Sequence, residues 1–251
     1  MIKILSFLFS NYYKHIVICF IFFHYVSYSQ NDKIIVYDVY LSEGSIENSE
    51  LKTNSKVSFI YNGVDDAIDS MEGVLEFNKG VIHSYIRSNH IEQKPLRLAR
   101  SLVGADEYYF GVYKDTIIRK RELLGETFFI KFPPNKLWNI HNEKKTIGEY
   151  ECFKATQEKE IILGNNKVKR IVVEAWFCPD LTFPYGPKDY CGLPGLILEL
   201  KEDKVAFVVN KVSFSNKNNI KINFLDKVID EKEYQKKLKE KTDYFFEMIG
   251  R

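Results

Sequence analysis

Apolar and polar residues alternate along most of the chain after residue 30, and this period of two predicts β-strands. The clearest run is Lys33–Leu41, which is rich in β-branched and aromatic residues. Similar runs lie at 57–61, 73–77, 81–86, 108–113, 116–119, 127–132, 145–158, 167–177, 196–200 and 204–214. Short turns at 78–80, 114–115, 164–166 and 202–204 predict hairpins between neighbouring runs.

Helical spacing occurs in two segments. Residues 63–71 predict a short helix, and residues 230–249 predict a longer one. Asp230 and Glu233 form a capping-box-like pair at its start. One face then carries the apolar residues Tyr234, Leu238, Phe245 and Ile249, opposite a face rich in Lys and Glu. We expect this helix to pack on the sheet, with a partner-binding or membrane-surface helix as the alternative.

The predicted fold class is therefore mainly β. We expect about eight to ten strands in an antiparallel meander, which forms a curved sheet or a partly closed barrel. The C-terminal helix should cover one opening or edge of that sheet.

Residues 1–29 differ in composition from the rest of the chain. Lys3 and Lys14 are their only charged residues, 16–23 is almost entirely apolar, and small residues precede Gln30 at 27 and 29. A basic start, an apolar core and a small-residue exit are the parts of a secretory signal peptide. The apolar run is shorter than the roughly 20 residues that a membrane anchor, the alternative, requires. We predict a signal peptide at 1–29 and a single β-rich domain at 30–251.

The charge balance also depends on this segment. The chain has 36 Lys and Arg against 34 Asp and Glu. Loss of Lys3 and Lys14 makes the two totals equal. No clustered basic excess of the kind that nucleic-acid binding requires is present, so we expect no nucleic-acid partner.

Export would place Cys152, Cys178 and Cys191 in an oxidising compartment. Of the three possible pairings we favour a Cys178–Cys191 disulfide, because it closes a short loop rich in Pro and Gly and would contribute about 3 kcal/mol. The alternative is that all three are small buried residues. No Cys-x-x-Cys or His-x-x-x-His spacing occurs, so no metal site and no cofactor is predicted.

An ordered set of short motifs runs from Trp138 to Leu200. It comprises Trp138, Gly148-x-Tyr150-x-Cys152, Ala175-Trp176-Phe177, Pro179-Asp180-Leu181, Gly186-Pro187 and Gly192-Leu193-Pro194-Gly195-Leu196-Ile197. This set resembles the GLPGLI family, exported proteins of a Gram-negative bacterial phylum named for the last hexapeptide. The resemblance implies a location in the periplasm or outer envelope. It implies no activity, because none is established for the family, and it transfers no catalytic residue.

The hexapeptide also has a physical interpretation. Pro194 fixes φ and Gly195 permits positive φ, which predicts a type II turn that leads into a strand. The loop 178–191 before it is stiffened by Pro and Gly. One hypothesis is that this loop forms the mouth of an apolar ligand pocket, with the ligand-binding candidates Trp138, Trp176, Tyr185 and Pro187. For any one of these residues a structural role is favoured, in which the loop is a corner and the tryptophans belong to the core.

The predicted function is non-catalytic binding of a hydrophobic molecule, such as a lipid, or of another envelope or outer-membrane protein. The alternative is a structural docking component of an envelope complex. A hydrolase has less support, because no Gly-x-Ser-x-Gly, His-Glu-x-x-His or phosphate-binding glycine motif occurs. Its candidates are the carboxylates Asp180, Asp189 and Glu199, or Cys152 with His141 as its base.

Overall fold

The computed structural model describes residues 33–41, 63–89, 94–123, 125–162, 168–214 and 220–249. Its strands are β1 (Lys33–Leu41), β2 (Met71–Asn78), β3 (Val81–Ser88), β4 (Glu107–Phe110), β5 (Ile117–Leu123), β6 (Glu126–Phe132), β7 (Asn139–Ile147), β8 (Tyr150–Ile162), β9 (Val168–Cys178), β10 (Leu196–Glu202), β11 (Val205–Phe214) and β12 (Val228–Asp230). Its helices are α1 (Val64–Asp69), α2 (Lys94–Val103) and α3 (Glu231–Ile249), with a 3-10 turn at Leu225–Lys227. The predicted signal peptide, the strand at 57–61 and the turn at 164–166 lie outside the described residues.

The strands form one 12-stranded sheet in the order β12-β6-β5-β4-β3-β2-β1-β11-β10-β9-β8-β7. Neighbouring strands are antiparallel except β12, which runs parallel to β6. The sheet stays open, with β12 and β7 at its edges. The prediction of a mainly β, antiparallel meander with a C-terminal helix is confirmed. No helix in the described part combines the length and apolar character needed to cross a membrane.

Two predicted hairpins form with tight turns. Asn78 pairs with Val81 across β2 and β3, and the turn residues Lys79 and Gly80 have φ of 47° and 84°. Positive φ at both central residues is the geometry that suits the twist of an antiparallel hairpin. The β10–β11 hairpin turns at Asp203, whose φ is 52°, and Lys204.

Two sequence predictions need correction. The run at 145–158 is not one strand, because Gly148 adopts a φ of 60° and turns the chain so that Ile147 pairs with Tyr150. Helix α2 was not predicted. Its buried apolar stripe consists of Leu96, Ala99 and Val103, while Leu98 is half-buried and Leu102 is exposed.

The main core lies on one face of the sheet, where α1, α2 and the segment 179–195 meet the strands. Its fully buried side chains include Ile35, Tyr37, Ile68, Leu75, Ile117, Phe177, Leu198 and Phe207. Burial of a Leu, Ile or Phe side chain contributes about 1.5–3 kcal/mol, so this face is the main source of stability.

Helix α3 packs at the β12 edge, as the sequence predicted. Tyr234 is 1% exposed and packs against Phe128 and Ile130 of β6. Asp230 caps the helix, since its Oδ1 accepts a hydrogen bond from the backbone N–H of Glu233 at 2.8 Å. The side chains of Phe245 and Ile249, assigned to the same apolar face, lie outside the described part.

A buried hydrogen bond links the middle of the sheet to the hexapeptide. The hydroxyl of Tyr37 on β1 donates to the carbonyl oxygen of Ile197 on β10 at 2.8 Å, and Tyr37 has no exposed surface. Burial raises the pKa of Tyr37 far above its ordinary value, so the hydroxyl remains a donor at all practical pH values.

We expect Tyr37→Phe to lower the free energy of unfolding by about 2 kcal/mol, because it leaves a buried carbonyl without its donor. Tyr40→Phe on the same strand is the control, since Tyr40 is 39% exposed, and it should change stability by less than about 0.5 kcal/mol. Urea unfolding of both variants tests this. Equal midpoints would show that the Tyr37 hydroxyl does not stabilise the fold.

Candidate functional site

The segment 179–195 folds back on itself and then joins the sheet. The backbone N–H of Gly192 donates to the carbonyl of Pro184 at 2.9 Å, and Tyr185 forms an antiparallel bridge with Cys191. At the end of the segment the N–H of Ile197 donates to the carbonyl of Tyr185 at 3.0 Å. These bonds give the loop a defined shape that rests on β10.

The hexapeptide does not contain the predicted type II turn. The N–H of Gly195 donates to the carbonyl of Leu193 at 2.8 Å, which closes a three-residue turn centred on Pro194. Positive φ belongs to Gly192, at 93°. Gly195 is required for a different reason, because a Cβ there would collide with the backbone carbonyl of Cys178. The leucine and isoleucine side chains of the motif are at most 1% exposed: Leu193, Leu196 and Ile197. Pro194 is exposed.

Three of the four predicted ligand-binding residues lie in or against this loop. The indole Nε1 of Trp138 donates to the carbonyl of Cys191 at 2.9 Å. The ring of Tyr185 meets Phe77 and Phe110 edge-on, with centroids 5.9 and 5.2 Å away. Pro187 is buried. Each of these side chains therefore contacts groups of the protein itself, and their ligand-binding role stays a prediction.

Trp176, the fourth candidate, lies on β9 among charged side chains. Its Nε1 donates to Glu174 Oε1 at 3.0 Å, and the ammonium of Lys145 lies 4.4 Å from the ring centroid. Lys154 lies on the same ring at 6.0 Å. Trp176 is 8% exposed, and the two lysine side chains cover its ring through cation–π contacts.

In this structure the three described cysteines form no disulfide, so the predicted Cys178–Cys191 bond is absent from it. Cys178 ends β9 and pairs with Leu196, while Cys191 pairs with Tyr185 inside the loop. The two residues thus enter different backbone ladders. The sequence suggested their pairing only because they flank the Pro-rich loop.

A buried carboxylate lies beneath the loop, and the sequence analysis did not assign it a role. Glu202 Oε1 accepts a hydrogen bond from Lys159 of β8 at 2.8 Å, and its Oε2 accepts one from Lys188 of the loop. Lys159 also contacts the hydroxyl of Tyr190 at 3.1 Å and Asp189 Oδ1 at 3.4 Å. We call Lys159, Lys188, Asp189, Tyr190 and Glu202 the buried ion cluster.

The electrostatics of this cluster are strong. Burial by itself raises the pKa of Glu202, but the charges and hydrogen bonds of Lys188 and Lys159 lower it to about 2. Lys188 adopts a φ of 59°, uncommon for a residue with a Cβ. Two lysines face two carboxylates, so the cluster has no net charge. Such a neutral set of ion pairs is typical of a structural role, here holding the loop against β8 and β10. The strand pattern could have indicated that Glu202 is buried. Residues two apart in a strand share a face, and Glu202 lies two positions after the buried Leu200.

A second polar cluster lies on the opposite face of the sheet, on β3, β4 and β5. His83 Nε2 lies 3.0 Å from Glu107 Oε2, and the same carboxylate accepts hydrogen bonds from Tyr109 at 2.9 Å and Lys120 at 2.7 Å. The imidazole stacks between Tyr85 and Tyr109, with centroids 4.6 and 4.3 Å away. Burial raises the pKa of Glu107, but these three hydrogen bonds lower it to about 2. No carboxylate lies near His83 in the sequence at a spacing that suggests a shared site. The pairing of β3 with β4 brings Glu107 beside it.

The hydrolase candidates do not form a catalytic arrangement with one another. Glu199 accepts a hydrogen bond from Lys145, and Asp189 belongs to the buried ion cluster. His141 bonds to Thr156 at 2.7 Å, whereas the thiol of Cys152 donates weakly to the carbonyl of Tyr150. Because a nucleophile must lie within hydrogen-bond reach of its base, the contacts of His141 and Cys152 do not form such a pair.

Comparison with known proteins adds a family description for part of the chain. Residues 138–199 match the model of a family described as "protein of unknown function (Porph_ging)". No curated protein matches the chain. Among solved structures, the chain is similar to one described as the structure of PNGF-II in a P21 space group, at a TM-score of 0.45 and 13% identity. That similarity covers 82% of this chain but 33% of the other, and at this level it supports no inference about function.

We expect Glu202→Gln to lower the free energy of unfolding at pH 7 by about 3 kcal/mol, because it removes the buried carboxylate that pairs with the partly buried ammonium groups of Lys188 and Lys159. The pKa of Glu202 is about 2 in the folded protein against an ordinary value of 4.5. Its stabilisation is therefore complete above pH 4.5 and is lost as the pH falls towards 2. The variant should lose less stability than the wild type over that window, as measured by urea unfolding at each pH.

The matched control is Glu160→Gln on β8, which removes an exposed ion pair with Arg170. Exposed pairs contribute at most about 1 kcal/mol, so this variant should keep the acid sensitivity of the wild type. If Glu202→Gln and Glu160→Gln behave alike, the buried ion cluster does not have the structural role inferred above.

Proposed function

We propose that this protein is an exported envelope protein of the GLPGLI family and that its work is non-catalytic binding. The basic, apolar and small-residue sections of 1–29 support export. The hexapeptide at 192–197 and the ordered motifs before it support the family. The match of residues 138–199 to a family of unknown function covers the same motifs.

Export predicts a defined N-terminus. We expect the protein isolated from the cell envelope to begin at Gln30, because Ser27 and Ser29 supply the small residues before the cut. Intact-mass measurement, which also reveals cyclisation of the glutamine, tests this. Recovery of the chain in the cytosol with residues 1–29 attached would overturn the export proposal.

Of the two binding classes, the internal contacts favour a partner protein over a hydrophobic ligand. Three of the residues proposed to line an apolar pocket already contact other groups of the protein. Trp138 donates a hydrogen bond to the carbonyl of Cys191, and the ring of Tyr185 packs edge-on against Phe77 and Phe110. The ammonium of Lys145 covers the ring of Trp176. A ligand that entered there would have to displace these contacts. This observation carries the proposal.

Two of the exposed apolar residues lie together beside the β7 edge of the sheet. Leu137 is 85% exposed and Ile140 is 52% exposed. Leu137 is held in a defined position, because its N–H donates to Asn135 Oδ1 at 3.1 Å and Pro133 and Pro134 stiffen the chain before it. A fixed, water-exposed leucine is stabilised when a partner covers it.

The backbone of β7 offers the second part of this surface. Within the described residues β7 pairs with β8 alone, so its other edge is open to an added strand. A register shift between Ile140 and Lys144 interrupts the ladder, and lysines follow it. Bulges and lysines discourage edge pairing. The docking surface therefore consists of residues 137–141, and its occupant is a short extended segment of another exported protein.

Site-specific photo-crosslinking in the producing cell tests this. A photoreactive residue in place of Leu137 should give an adduct with a second protein, and Ile140→Asp in the same chain should reduce its yield at least tenfold. A photoreactive residue in place of Val172 of β9, which is 64% exposed, is the control and should give no adduct. Equal yields at the two positions, or none, would overturn the docking surface.

The alternatives give different results in related measurements. A lipid adduct in native mass spectrometry of the envelope-derived protein, lost in Trp176→Ala, would favour a hydrophobic-ligand carrier. Crosslinks that join two copies of the chain would favour a structural component that assembles with itself. For a hydrolase the favouring observation is the His83–Glu107 hydrogen bond, and an activity lost in His83→Ala would establish that class.

A further inference from the structure

The register of β8 and β9 brings two cysteines together that are far apart in sequence. The two strands pair without a shift from Phe153↔Phe177 to Ile162↔Val168. One step further in the same register places Cys152 opposite Cys178, and both residues still belong to their strands. Residues in such directly opposite positions project from the same face of the sheet.

The separation of opposite residues suits a disulfide. Their Cα atoms lie about 4.5–5.5 Å apart in an antiparallel pair. Disulfides span Cα separations of about 4.4–6.8 Å, so the two cysteines can join without a change in the register of the strands. Cys191 is bridged to Tyr185 within the loop and has no corresponding position opposite Cys178 on β8.

The surroundings of the two thiols are consistent with a pair. Both side chains have no exposed surface and belong to the same core cluster. Burial raises the pKa of Cys152 to about 11, and the next largest contribution comes from Cys178. No group of three or more metal-ligating side chains occurs in the described part.

Cys191 has a different environment. Burial raises the pKa of its thiol to about 11, and its charged neighbours are Lys136 and Asp189 rather than another cysteine. It pairs with Tyr185, and its carbonyl accepts the indole N–H of Trp138. Cys191 is therefore the residue left over when one disulfide forms.

We propose that Cys152 and Cys178 form an intramolecular disulfide that joins β8 to β9 where the loop 179–195 begins. That the bond forms in an oxidising compartment rests on the proposed export. That Cys152 pairs with Cys178 rests on the register of β8 and β9. The oxidant is a protein or small-molecule disulfide. One cysteine thiolate attacks it to form a mixed disulfide, and the second thiolate then displaces the donor sulfur. Two thiol protons pass to solvent, and two electrons reduce the donor disulfide to two thiols.

The disulfide forms before β8 and β9 are buried in the folded protein. In the folded protein both sulfurs are buried, and the raised pKa of Cys152 keeps that thiol protonated and unreactive. In the unfolded chain both are accessible. Once formed, the bond restricts the unfolded chain between residues 152 and 178, which stabilises the folded state.

Tryptic cleavage offers a direct test, because it places the three cysteines on separate peptides, 146–154, 171–188 and 189–201. Protein isolated from the envelope, and the same chain refolded in a glutathione redox buffer, should be alkylated and digested without reduction. We expect 146–154 joined to 171–188, with the cysteine of 189–201 alkylated. A link between 171–188 and 189–201, or three alkylated cysteines after refolding, would overturn the proposal.

Variants and reduction provide the control. Cys191→Ser should keep the link and, like the wild type, show a lower urea midpoint after reduction with dithiothreitol. Cys152→Ser, or Cys152→Ala if the serine variant does not fold, should show no effect of dithiothreitol. A link found after refolding but absent from the cellular protein would contradict the proposed export and leave the pairing correct.

Discussion

The arrangement around the loop depends on neutralising the Glu202 carboxylate. A buried carboxylate is costly unless opposite charges and hydrogen bonds surround it. Lys159 comes from β8, Lys188 from the loop and Glu202 from the end of β10, so both ion pairs exist only when these three elements meet. An alternative position of the loop would leave Glu202 buried without one of its partners. The ion pairs therefore select one arrangement among those that apolar packing alone would permit.

The hexapeptide also fixes the position of the loop, through its backbone turn and its close packing. Gly195 lets the chain pass the Cys178 carbonyl, Pro194 sets the turn, and Ile197 receives the Tyr37 hydroxyl from β1. Each of these contacts is internal. The hexapeptide residues thus explain how the loop is seated on the sheet. Their internal role is one physical reason why a shared motif need not indicate a shared ligand.

The two proposals concern the same half of the sheet. The docking surface at 137–141 lies on β7 and the chain just before it, and the cysteine pair joins β8 to β9 next to it. The indole of Trp138 connects these regions, because it follows Leu137 directly and donates to the carbonyl of Cys191 in the loop. A disulfide at the base of the loop would restrict the strands that support the exposed leucine. Preorganisation of this kind lowers the entropic cost of binding a partner.

The sequence by itself determined the local elements. Strand alternation located β1, β2, β3, β10 and β11, turn residues located their hairpins, and Asp230 with Glu233 marked the start of α3, because these features depend on neighbours in sequence. It missed the break at Gly148, where both neighbouring segments alternate, and it missed α2, whose apolar stripe is short. The tertiary structure decided the rest. Only strand pairing places Glu107 beside His83, brings together the ends of β8 and β9 that carry Cys152 and Cys178, and places two lysines on Glu202. Those partners are distant in sequence, and no local pattern specifies which strands become neighbours.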